Sequence, residues 1–512
     1  MVIGLAALAV AMASGGAPNQ AVQANHLPLA EILAKVTAAQ HFSEFKRSGQ
    51  TLTLVGEAQH LGVDGKYELK LSPDGRFVGA LSNPLGVSCG YDGKTAWETD
   101  VSGAPQVLSG ESSDAVELTY AVVDGTWLDD PSRFDVGLSA VAMPPGITEL
   151  AIRMRSSADQ SWNRLDLDSA TWLPTRLTSV FRGETVTTDF QNWDEGPGLR
   201  LPMSISTSGG LMANCFSAKL HRTDNASAMK FEAPSWQASD TSFDPSKPAE
   251  IEVKETPAGV LLVRPRINHR DVGWFLLDTG TSAMVLDAGA AKELGLSTES
   301  KIDLAGIGGS GDGEITSPAD FGLGPISIRI HFVTTDLTGI GNGLFVKLGG
   351  IVGYDFFRRA VVTLDVRHKK VAIYDPERFK RADLAWQPLL LDDGCPLIDT
   401  KFEGNNSGYF EIDTASKQMV LCSPTVDRLE LTKHRKTEPG SLPGIGGSSN
   451  AVFGQLRWIN LGSRRMEDVD AFFSTSLTGI YANGCWAGTL GLSVLNSVRV
   501  VFDYPDGRVA FN

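Results

Sequence analysis

The chain has 512 residues, of which 42% are apolar and 21% charged, and carries a formal net charge of −15. That length accommodates about three domains, and the composition is that of a globular protein able to bury a core. An acidic chain without a stripe of Lys and Arg excludes a nucleic-acid partner, because neutralising phosphates takes clustered cations. Five scattered cysteines (Cys89, Cys215, Cys395, Cys422, Cys485) with no C-x-x-C spacing argue against a zinc or redox centre.

Residues 1–24 read as a leader. The first thirteen are small and apolar, and Ala11-Met12-Ala13 resembles a signal-peptidase site, although no Lys or Arg precedes Lys35. Export to a periplasmic or extracellular space is the expectation, with a cytoplasmic location as the alternative. No other stretch approaches about 20 apolar residues, so no integral membrane domain is expected. Leu29, Ile32, Leu33 and Val36 then recur at helical spacing and predict one short amphipathic helix. From Gln50 to Phe231 the pattern changes to short alternating runs, such as Thr51 to Val55, Tyr67 to Leu71, Leu177 to Phe181 and Val186 to Phe190. Turn signals such as Pro73-Asp74-Gly75 and Asp92-Gly93 separate them. Residues 25–232 are therefore expected to form an antiparallel β domain.

The helix followed by a meander, with Tyr91-Asp92-Gly93-Lys94-Thr95-Ala96-Trp97, Leu173-Pro174-Thr175-Arg176 and Gly198-Leu199-Arg200-Leu201-Pro202, resembles the half-barrel β domains of the lipoprotein-carrier (LolA-like) type. The resemblance implies a half-barrel whose concave face takes an apolar ligand or an extended peptide. Residues 233–250, rich in Ser, Asp, Pro and Lys, read as a linker.

The back half is an internal duplication. Trp274-Phe275-Leu276-Leu277-Asp278-Thr279-Gly280-Thr281 aligns with Tyr409-Phe410-Glu411-Ile412-Asp413-Thr414-Ala415-Ser416, and Met284-Val285-Leu286 with Met419-Val420-Leu421 at the same offset. Further on, Gly306-Ile307-Gly308-Gly309-Ser310 matches Gly444-Ile445-Gly446-Gly447-Ser448, and Leu337-Thr338-Gly339-Ile340 matches Leu477-Thr478-Gly479-Ile480. Gly350-Ile351-Val352-Gly353 answers Gly488-Thr489-Leu490-Gly491. An apolar strand entering Asp-Thr-Gly-Thr, a glycine-rich hairpin and an apolar-apolar-Gly element resemble the aspartic peptidase lobe of pepsins and retropepsins. The resemblance covers Ile251 to Asn512 and implies a mainly β, bilobal, pepsin-like fold with lobes at 251–385 and 386–512.

It also implies a catalytic pair, Asp278 and Asp413, acting on a peptide or protein substrate without a cofactor or metal. The doubling has a chemical reason. Hydrolysis without metal or covalent nucleophile needs one group to take a proton from water and another to protonate the carbonyl oxygen or leaving amine. Two carboxyls about 3 Å apart that share one proton supply both. With both lobes in one chain, a monomer suffices for the site. The family likeness assigns Thr279 and Thr414 to hydrogen bonds across the lobe interface and places Gly280 and Ala415 where backbone N–H groups approach the carboxylates. Thr281 and Ser416 would support the carboxyls from outside. Ile307, Gly308 and Gly309, with Ile445, Gly446 and Gly447, would form flaps over substrate, or else simple turns.

Two departures matter. Ala415 stands where the family has glycine, which costs about 1 kcal/mol if φ is positive there. Polar Glu411 and Lys417 replace Leu276 and Ser282. A second lobe degraded in this way would leave a non-catalytic peptide- or ligand-binding protein, and a front domain that dominates would make a lipid-handling one. No Walker loop, G-x-S-x-G elbow or H-E-x-x-H motif competes.

Overall fold

The computed structural model describes residues 27–84, 86–100, 103–108, 110–139, 144–156, 162–181, 184–194, 198–209, 212–223, 230–236, 238–306, 309–392, 394–433, 435–444, 447–477, 479–482, 484 and 486–512. The leader-like segment 1–24 lies outside them. Among the described residues no helix is long and apolar enough to cross a membrane.

The predicted early helix is present as α1 (Leu29–Gln40), which buries Ile32 and Val36 one turn apart and stops at left-handed His41. A second helix, α2 (Phe42–Ser48), follows at once, buries Phe42 and Phe45, and ends at Gly49 with φ of 64°. Strands then succeed one another antiparallel from Leu52 to Val107 and, after an interruption, from Phe134 to Thr223. The last strand, Met212–Thr223, returns beside the first, Leu52–His60, with Thr53 opposite Thr223. This joins two meanders into a single 13-stranded sheet. Its edges are Pro105–Val107 and Phe134–Leu138, so the sheet is open and no barrel closes.

The interruption is a helix the strand pattern did not predict, α3 (Gly110–Asp124). Its Leu118-Thr119-Tyr120-Ala121-Val122-Val123 run has strand-like composition, but tertiary burial overrides propensity. The helix touches Ser88–Tyr91 and Ala96–Thr99 near one edge of the sheet and Ile147–Met154 and Pro174–Phe181 towards the other, so the sheet curls around it. Ile32, Val36, Phe42, Leu118 and Val122 share one core with Leu54, Leu69, Leu150 and Leu165 of the strands. The concave face expected to receive a ligand is filled by the chain's own helices.

The segment read as a linker is instead a strap on the first lobe. Thr241–Phe243 adds a strand beside Ile326–Ile330, and Glu250–Ile251 pairs with the strand Lys370–Tyr374. Asp240 closes an ion pair at 2.6 Å on Arg359, whose side chain is 1% exposed. The composition of a Ser-Asp-Pro stretch gives no hint of a buried cation waiting for one of its aspartates.

Behind the strap, two eight-stranded sheets repeat the same strand order. In the first, Trp274–Leu277 lies between Leu261–Val263 and Leu348–Val352. In the second, Asn406–Ile412 lies between Cys395–Phe402 and Trp486–Leu490. A six-stranded sheet joins the lobes, with Thr363 opposite Val501, and one apolar core runs through both. The fold is mainly β with a two-lobed C-terminal region, as the duplication predicted.

The front domain rests on both lobes. Leu61 accepts a hydrogen bond from Asp303 N–H at 2.9 Å, and Val63 packs with Ile302 and Ile315 of the first-lobe hairpin. Tyr354 gives its hydroxyl to Asp100 and takes a bond from Gln106 Nε2, each at 2.8 Å. Ser112 at the start of α3 bonds Asp392, which also receives the second lobe's Trp486 indole N–H.

Candidate active site

Each carboxyl of the predicted pair is delivered by an apolar strand that lies parallel to the apolar-apolar-Gly element of its own lobe. Leu276 sits opposite Ile351 in the first lobe and Glu411 opposite Thr489 in the second. The strands are pinned where they end: Asp278 N–H bonds Val352 O, and Asp413 N–H bonds Leu490 O, both at 3.0 Å. Gly353 and Gly491 let the chain cross there. A Cβ on Gly353 would lie 2.2 Å from Ala283 O, and one on Gly491 2.3 Å from Gln418 O.

The two turns then grip each other. Thr279 Oγ1 donates to Ile412 O at 2.6 Å and Thr414 Oγ1 to Leu277 O at 2.7 Å. Each hydroxyl also accepts the other threonine's backbone N–H at 3.1 Å. All four groups are buried, so their hydrogen bonds replace water that cannot reach them. This reciprocal lock carries the turns of different lobes to one point.

There Asp278 is buried and Asp413 half-buried, and the two carboxyls flank one point, the place a Cβ on Gly280 would take. Gly280 lies between them: a Cβ on it would be 3.1 Å from Asp413 Cγ and 3.3 Å from Asp278 Oδ1. The glycine there serves space, for its φ is not positive. Ala415 also has an ordinary backbone and is absent from the left-handed region, so the alanine carries no φ strain.

Support of the carboxyls is unequal. Asp278 receives Gly280 N–H at 2.8 Å and the Thr281 hydroxyl at 2.6 Å. Asp413 receives two backbone donors, Ala415 N–H at 2.7 Å and Ser416 N–H at 3.0 Å. The Ser416 hydroxyl turns away to Gln418 O, so the support expected from it comes through its amide.

Burial holds the Asp278 carboxyl above the usual carboxylate range, opposed by the Thr281 and Gly280 donors. Burial, then the negative charges of Asp278 and Glu411, pushes Asp413 well above it. Two neighbouring carboxyls that are both raised favour one proton between them, because like charges so close resist ionising together.

Of the expected flap residues, Gly309 and Gly447 form the last rungs of hairpins, opposite Gly306 and Gly444. Ile307, Gly308, Ile445 and Gly446 lie outside the described residues. Cys395, which sequence reasoning treated only as a scattered thiol, lies with Sγ 3.6 Å from Gly280 O, and Asp355 takes Met284 N–H just beyond the first turn. Neither position had a motif to reveal it. A pocket of about 510 Å³ elsewhere on the first lobe is lined by Arg264, Arg266 and Arg329, but these are engaged by Asp271, the His269 carbonyl and Asp320.

A family model for aspartyl proteases matches residues 263–356 and 398–494, the segments that carry Asp278 and Asp413. No curated protein matches. Among solved structures, conglutin gamma, a basic 7S globulin from lupine seeds, is 15% identical, covers 52% of this chain and 95% of its own, and gives a TM-score of 0.35. The basic 7S globulin from soybean is 14% identical with the same coverages and TM-score. Scores that low leave the fold assignment on the strand order and the family match. The likeness of the front domain to lipoprotein carriers finds no support in these comparisons.

Proposed function

We propose that the chain is an aspartic endopeptidase whose catalytic pair is Asp278 and Asp413. The observation that carries this is the convergence of two buried or half-buried carboxyls on Gly280, brought from two lobes by the reciprocal Thr279–Thr414 lock. With one proton between them, the ionised carboxyl takes a proton as water attacks the peptide carbonyl. The protonated one gives its proton to the carbonyl oxygen, forming a gem-diol. The carboxyl that is now protonated gives its proton to the amine nitrogen while the other takes one from a gem-diol hydroxyl, which breaks the C–N bond and restores the singly protonated pair. An extended peptide between the lobes is the substrate this arrangement suits, its backbone paired to hairpin edges.

The second reading, a peptide-binding protein on a decayed peptidase scaffold, is favoured by the missing hydroxyl on Asp413. Replacement of each aspartate by asparagine separates the two. Cleavage of a peptide library by the wild-type chain should fall about 1,000-fold or more in both Asp278→Asn and Asp413→Asn, since neither variant can hold the shared proton between two acids. Binding retained in all three forms, with no cleavage in any, would leave the second reading.

A further inference from the structure

We propose that Arg359 is a positioning residue of the site: through Asp355 it holds the far end of the first active-site turn, and through Asp240 it makes that hold depend on the strap. This rests on reading Asp278 and Asp413 as the catalytic pair.

The short helix Tyr354–Phe357 grips the turn that begins at Asp278 in two places. Tyr354 N–H bonds Thr281 O at 2.8 Å, and Met284 N–H bonds Asp355 Oδ2 at 2.9 Å. The first grip is repeated in the second lobe, where Leu492 N–H bonds Ser416 O at 2.8 Å. The second grip has no such copy. Counting on from the matched glycines 353 and 491, Asp355 answers Ser493 and Arg359 answers Ser497. An acid and a base one helical turn apart in the first lobe are both serine in the second. The strap delivers its own aspartate, Asp240, to the lobe that has the arginine.

Arg359 is the hub of this network, and both it and Asp355 are buried. On one side its Nε and Nη2 meet the Asp240 carboxylate at 3.0 and 2.6 Å, and Trp236 lies against the guanidinium at 5.8 Å. On the other side Nη1 donates to Asp355 O at 2.7 Å and stands 3.9 Å from Asp355 Oδ1. That oxygen has no hydrogen-bond donor among the described residues. A buried carboxylate in this state needs a cation, and Arg359 is the one beside it. Burial pushes the Asp355 carboxyl up to about 6, opposed first by the Arg359 charge, so it is ionised near neutral pH. Without the guanidinium the carboxylate must draw in water or take a proton. Either weakens its bond to Met284 N–H, and the turn loses an anchor. Thr281, whose hydroxyl donates to Asp278, lies three residues earlier in that turn. Arg359 touches no reacting group. It sets where the turn that carries one of them lies.

The test compares Arg359→Met, which keeps bulk without the cation, with Asp355→Asn/Arg359→Met, in which a neutral amide oxygen still accepts Met284 N–H and needs no cation. Arg359→Met should lower kcat for peptide cleavage about tenfold or more with KM within about twofold, and the double variant should return kcat to within about threefold of wild type. Asp240→Asn leaves both buried residues in place and guards against a misfolded variant; it should lower kcat about threefold with the same constant KM. A kcat lost in Arg359→Met and not regained in the double variant overturns the inference. Hydrogen exchange at the Met284 amide reads the same anchor without any substrate. It should accelerate about tenfold or more in Arg359→Met, less in Asp240→Asn, and return towards wild type in the double variant. If no peptide is cleaved but exchange follows this order, the peptidase reading falls and the anchor stands. Cleavage that dies in Asp278→Asn and Asp413→Asn, with kcat and Met284 exchange unmoved in Arg359→Met, sinks this inference alone.

Discussion

Gly280 and Ala415 occupy the same place in the two turns, yet the structure gives them different freedom to change. A methyl at 280 would enter the space between the carboxyls, 3.1 Å from Asp413 Cγ. Gly280→Ala should therefore lower kcat/KM by about 100-fold or more with little loss of melting temperature, because it displaces reacting groups rather than the core. At 415 the backbone is not left-handed, so Ala415→Gly relieves no strain and should leave turnover within about twofold. A tenfold rise on Ala415→Gly would restore the strain argument. The sequence made both positions visible as a motif and its imperfect copy, since the residue types align at one offset. It could not show the sign of φ at 415, nor that the Ser416 hydroxyl would turn to Gln418, because these depend on the backbone torsions and rotamer each turn takes once packed.

At the scale of elements, the lock between the turns is the part most fully legible beforehand. The family likeness carried by the doubled Asp-Thr implies two hydroxyls bonding across the lobe interface, and Thr279 and Thr414 bond each other's turns there. Thr279→Val removes one donor and one acceptor from a buried network and leaves Thr414 N–H and Ile412 O without them. Each orphaned group costs about 1–3 kcal/mol. Urea denaturation should show a loss in that range or above it, and Thr279→Ser should recover most of it; equal stability of the valine and serine variants would mean the hydroxyl is not what joins the turns. Two elements escaped the sequence for the opposite reason. Helix α3 owes its form to the sheet wrapped around it, and the strap 238–251 owes its place to Arg359, 119 residues beyond Asp240 in the chain. Local pattern carries neither.

On the whole-molecule scale, the front domain is a brace across the lobes, with contacts on the first-lobe hairpin, on Tyr354 and on Asp392. Its strands were legible from alternation. Their closure into one sheet was not, because that depends on Met212–Thr223 returning to Leu52–His60 across the whole domain. The brace has a consequence for the hairpin Thr298–Thr316, whose outer strand is held by Leu61 and by Val63, itself 1% exposed. Val63→Asp places a charge in that small apolar cluster and should undock the hairpin. Hydrogen exchange over residues 298–306 and 309–316 is expected to accelerate by about tenfold or more, with α1 unchanged. Equal protection in wild type and variant would mean that the contact holds nothing in place.

All of this converges on two acids from duplicated lobes holding one proton between them. Calorimetric binding of a statine-type peptide, whose hydroxyl mimics the gem-diol, reads that proton directly. The pair's carboxyls are raised, so the proton is present below their elevated pKa values and departs as pH climbs through them. Affinity should be highest on the acid side, fall as the last proton leaves, and drop about 100-fold or more in both Asp278→Asn and Asp413→Asn. An affinity independent of pH and unchanged in either variant would contradict the account.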